Sequence, residues 1–133
     1  MPQHQLVVYY FQVFTYYNKV DGVDNIIVSG KKINVTDYIG LDSNVSGLKL
    51  RGCFKVDLKE FEKLKTFEKP TPLSAPFWFR CFDYENIQKS LSNNTARAFI
   101  AKENELDGMD RVVAIFPDGR GYQWRQLNEK FMD

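Results

Sequence analysis

Residues 96–127 read ARAFIAKENELDGMDRVVAIFPDGRGYQWRQL, and the fold is decided here. Three segments, 96–102, 111–116 and 121–127, are rich in β-branched and aromatic residues. Their separators hold Asp107-Gly108 and Asp118-Gly119, pairs that favour tight reversals because glycine takes up a positive φ at no steric cost. The pattern predicts a meander of three antiparallel strands.

Moving upstream, residues 48–56 alternate cleanly, with Leu48, Leu50, Phe54 and Val56 on one side and Lys49, Arg51, Cys53 and Lys55 on the other. This predicts a strand with one buried and one basic face. Asp57 then precedes Leu58, Phe61, Leu64 and Phe67 at helical spacing, and Glu60 completes an Asp variant of the capping box, so a helix is expected that stops before Pro70. Residues 77–82 read as a short aromatic strand, and Asp83 as the N-cap of a second short helix through Ile87 to Leu91. Nearer the N-terminus, residues 26–29 read as a strand turning at Gly30 into residues 33–36. Residues 6–17 are almost continuously apolar or aromatic, which predicts a central strand covered on both faces. Together these elements predict one α+β domain over residues 1–133, a largely antiparallel sheet of six to seven strands with two short helices.

The 133 residues suit a single folding unit with its own core. Eighteen Lys and Arg against seventeen Asp and Glu leave a net charge of +1, so no global field recruits a polyanion. Rings are the one departure from ordinary composition, at 15% of the chain. Cys53 and Cys81 stand apart, with no CxxC, inside segments read as strands; they are expected to be reduced, buried thiols. The apolar run 6–14 has no basic residue before it and no small-residue cleavage site after it, and it is too short to span a bilayer. The expectation is therefore an intracellular protein of cytoplasm or nucleus, without a membrane role. Three N-x-S/T sequons, at Asn34, Asn44 and Asn93, pull weakly against it.

Catalytic machinery is not evident. His4 is the only histidine, which removes histidine-dependent triads, and two thiols alone do not close a tetrahedral metal site. Asp42-x-Asn44-x-Ser46-Gly47 imitates the first half of a calcium loop, but its twelfth position is Cys53 instead of a bidentate Glu. The pairs Asp21/Asp24 and Asp107/Asp110 lie beside Asp-Gly turns, where Asp serves the backbone. Gly119-Arg120-Gly121 lacks the Lys-Ser/Thr of a phosphate loop. No enzyme activity, cofactor or metal is expected.

A ring surplus without reactive groups points to recognition. Tyr and Trp with Arg are the residues that dominate protein interfaces, so Tyr10, Phe14 and Tyr16 on the first strand, Trp78 and Arg80, and Tyr122, Trp124 and Arg125 are the expected contacts with a protein partner or a second copy of the chain. The alternative is single-stranded nucleic acid, whose phosphates would meet Lys31, Lys32, Lys49, Arg51, Lys55 and Arg120 while its bases stack on rings.

Overall fold

In the computed structural model, which describes residues 17–131, the C-terminal meander forms as its turns dictate. Gly108 and Gly119 sit at φ of 77° and 90° between β6 (Arg97–Leu106), β7 (Met109–Ile115) and β8 (Arg120–Leu127), which pair antiparallel in sequence. Upstream, β1 (Asn18–Asp21), β4 (Thr36–Asp42) and β5 (Arg51–Lys55) extend the sheet, whose order is β1-β4-β5-β8-β7-β6. A separate hairpin pairs β2 (Asn25–Val28) with β3 (Lys31–Asn34) around Ser29 and Gly30, both at positive φ.

One α-helix is present among the described residues, α1 (Tyr84–Ser92), where Asp83 accepts from the backbone N–H of Asn86 at 3.2 Å as an N-cap. Among the described residues the architecture is thus β-rich, a largely antiparallel sheet with one helix and short 3-10 turns, where an α+β domain with two helices was expected. The helix expected after Asp57 shrinks to a 3-10 turn at Leu58–Phe61, although Asp57 does cap it by accepting from Lys59 N–H. Tertiary anchoring overrides the helical period: Phe61 is fully buried 5.1 Å from Phe99, and the Phe67 N–H donates to the Ala98 carbonyl at 2.8 Å, which draws the chain out along β6. Residues 77–82 are a loop and not a strand; Phe79 N–H turns back onto the Pro76 carbonyl. The expected central strand at residues 6–17 lies outside the described residues, apart from Tyr17.

Both faces of the sheet are covered, and alternation along the strands divides the rings between two cores. One face carries Tyr38, Phe54, Phe99, Val113 and Ile115, closed by Ile26, Val28 and Ile33 of the hairpin and by Phe61. The opposite face carries Cys53, Val112, Ala114, Tyr122 and Trp124, closed by Phe82 and by Ile87 of α1. Residues 111–115 of β7 are consequently buried without a break.

This double covering corrects the reading of residues 48–56 as one-sided. The middle of the supposed basic face, Arg51 and Cys53, lies under residues 67–82, so Arg51 is only 6% exposed, while Lys55 at the strand end stays exposed. Its guanidinium donates to the carbonyls of Leu48, Leu50 and Ser74 at 2.6–3.2 Å and sits 5.7 Å from the Phe82 ring centre. Burial lowers its pKa to about 10, which still leaves it cationic at neutral pH. The cysteines are corrected too. Cys53 and Cys81 are joined by a disulfide, Cα to Cα 6.3 Å, tying the loop before α1 to the middle of β5. Their separation of 28 residues hid a contact made only when the loop folds back over the sheet.

The outer edge of β6 is also covered. Ser29 of the hairpin turn donates its N–H to the Ala101 carbonyl and its hydroxyl to the Ile100 carbonyl, at 2.8 and 2.7 Å, next to the Phe67 bond at Ala98.

Candidate functional site

The loop between Ala75 and Glu85 is where rings leave the core. Pro76 and the Phe79-to-Pro76 bond shape a tight turn, the disulfide fixes Cys81, and Phe82 plunges into the core, edge-on to Tyr122 at 5.9 Å and to Trp124 at 6.2 Å. Between these anchors Phe77 is 82% exposed, the most exposed large hydrophobic side chain among the described residues. Phe79 and Tyr84 are half-buried and Arg80 is exposed. Together with Phe77 they line a shallow groove of about 280 Å³, whose acidic rim is Asp83 and Glu85. On the other flank Trp78 meets the Tyr17 ring edge-on at 5.7 Å, and Lys49 lies 5.1 Å from the centre of that same Tyr17 ring.

The expected partner-binding set divides. Trp78 and Arg80 belong to this loop. Tyr122 and Trp124 face inward, Trp124 with no exposed surface, and are core residues. Arg125 is held inside an ion network: its guanidinium reaches Glu105 at 2.9 Å and Asp42 at 3.4 Å, and Glu105 also takes Arg111 at 3.0 Å. Burial pushes the Glu105 carboxyl up, but hydrogen bonds and charge from the two arginines outweigh it, and the net pKa lies below the ordinary value. Arg111 continues the network to Gln123, which donates to the Tyr38 hydroxyl at 2.7 Å; burial raises the Tyr38 pKa. Tyr10, Phe14 and Tyr16 lie outside the described residues. Phe77, Phe79 and Tyr84 were not among the expected contacts, yet the signal was present: three prolines at 70, 72 and 76 mark irregular, surface-running chain.

The basic set does not converge. Arg51 is buried, against the expectation that it faces solvent. Lys31 pairs with Glu60 at 3.1 Å on the hairpin, and Lys32 follows it there. Lys55 and Arg120 are cross-strand neighbours, but each is matched by an acid, Asp37 at 3.7 Å and Asp118 at 2.7 Å. Lys49 stands apart on Tyr17. A larger cleft of about 1130 Å³ between the hairpin tip, residues 65–71 and the end of β8 mixes Lys65, Lys69 and Lys102 with Glu103, Asp110 and Glu129.

Among the described residues no group of three or more His, Cys, Asp and Glu is placed to hold a metal ion, and His4 lies outside them. Asp107 and Asp110 serve local structure, the first pairing with Lys130 and the second accepting from Asn104 N–H and the Asn128 side chain. No described helix is long and apolar enough to cross a membrane.

No curated protein matches the chain. No solved structure matches it either. A family model does, over residues 20–132, from β1 through the meander and past the last 3-10 turn. On that span the chain belongs to DUF6446, a family of unknown function.

Proposed function

We propose that the domain is a non-enzymatic interaction module whose contact surface is the loop from Ala75 to Asp83 with the first residues of α1. The observation that carries the reading is Phe77, left 82% exposed where eight other large rings of the described residues are buried in the two cores. A phenylalanine held out on a disulfide-anchored loop beside a ring-lined groove has the makeup of a binding hot spot, where preorganisation lowers the ordering cost of association. The occupant is a protein segment that offers an apolar side chain to the groove and a hydrogen-bond acceptor to Arg80. The disulfide supports an oxidising compartment over the cytoplasm or nucleus expected from sequence.

The test is cross-linking and capture from the native host with wild type, Phe77→Ala and Arg80→Glu. The expected result is a protein retained by wild type and lost by both variants at unchanged melting temperature. Equal capture by all three removes the loop as the contact surface. Sedimentation velocity on the same proteins distinguishes a foreign partner from a second copy of the chain.

A further inference from the structure

Among the described residues the contact loop has few backbone tethers, while Trp78 meets Tyr17 and Phe79 packs against the core of the second face. Residues 76–82 form neither helix nor strand. Their only described backbone bond of this kind is the one from Phe79 to Pro76. Arg51 holds the approach at Ser74, and Gln126 holds it further back at Lys69 and Thr71. At the far end the attachment to the sheet is Cys81, followed by the inserted ring of Phe82. Cys53 lies in mid-strand opposite Tyr122 and Ile39, so it moves only with the sheet, whereas Cys81 belongs to the loop and is the more exposed partner.

We propose that the Cys53–Cys81 disulfide is a redox latch, which holds residues 76–82 in their docking conformation when oxidised and releases them when a dithiol reduces it. The proposal rests on the loop being the contact surface. In the step, a thiolate of the dithiol attacks the Cys81 sulfur; the Cys53–Cys81 bond breaks, and Cys53 leaves as a thiolate that takes up a proton. The second thiol of the reductant then attacks the mixed disulfide and expels Cys81, which is protonated in turn. The two cysteines gain two electrons and two protons, and the dithiol becomes a disulfide. The sheet does not depend on the bond to stay assembled, because β5 remains in its ladders with β4 and β8, the first apolar face holds no residue of the loop, and Ile87 of α1 still packs on the second. Release is therefore local, and the groove of Phe77, Phe79 and Tyr84 loses its shape while the sheet persists.

Limited proteolysis of the full chain tests this, with trypsin cutting after Arg80 and chymotrypsin after Phe77, with and without dithiothreitol, and with far-ultraviolet circular dichroism in parallel. Reduction is expected to speed cleavage at residues 77–80 roughly tenfold or more while cleavage after Arg120, the first residue of β8, and the dichroism stay unchanged. A Cys53→Ser, Cys81→Ser double variant should cut at the fast rate under both conditions. An unchanged loop rate overturns the latch. So does equal acceleration after Arg120, since the bond would then be holding the whole domain. If the loop opens on reduction but Phe77→Ala leaves partner capture intact, the latch stands and the contact-surface reading falls.

Discussion

Two ring residues of similar standing in the sequence have opposite fates. Trp124 is enclosed between Phe82 and Val112, and its indole N–H donates to Gln126 at 2.9 Å, so Trp124→Ala should cost about 3–5 kcal/mol in urea unfolding. Phe77→Ala should change stability by about 0.5 kcal/mol or less, because the ring already meets solvent. Equal losses at the two positions would contradict the division between core and surface. Glu105 gives the pH dependence. Its pKa is lowered in the folded state, so its contribution is fully present above the unfolded value of roughly 4.3 and is lost as pH falls through the lowered one. Wild type should weaken more steeply than Glu105→Gln on acidification below about pH 4.5, as read from the urea midpoint at each pH. Parallel curves would remove Glu105 as the sensor.

Elements were legible where local chemistry agreed with packing. The β6–β8 meander and the β2–β3 hairpin follow from Asp-Gly and Ser-Gly turns joining apolar segments, and α1 from Asp83. Asp83→Ala should cost about 1 kcal/mol and reduce helical signal, a change that thermal melts detect; no change would mean the helix is held by Ile87 alone. Illegible were the elements set by distant contacts. The helical stripe from Leu58 to Phe67 was real as a burial pattern, but Phe61 and Phe67 spend it on Phe99 and on the edge of β6. The alternation around Arg51 was real too; what it could not reveal was a second covering layer over the cationic side, since that layer is a loop held by carbonyl contacts and a disulfide. The candidate site shared that blindness: Trp78 and Arg80 were named from residue type alone, while the exposure of Phe77 depends on where Pro76, Cys81 and Phe82 pin the loop.

At the scale of the molecule, the rings of the described residues chiefly coat one sheet on both sides. Eight large rings line the two interiors, Tyr38, Phe54, Phe61 and Phe99 on one face and Phe82, Phe116, Tyr122 and Trp124 on the other. With both faces closed, the borders of the sheet are its remaining open ground, and β6 is the longer border strand. There Ser29 and Phe67 occupy backbone groups that another polypeptide would otherwise pair with. The hairpin thereby acts as a guard against self-templating. Ser29→Pro removes the bonding N–H at a φ of 52° that proline cannot adopt, and concentrated solutions of that variant should turn cloudy and stain for cross-β filaments while wild type stays clear.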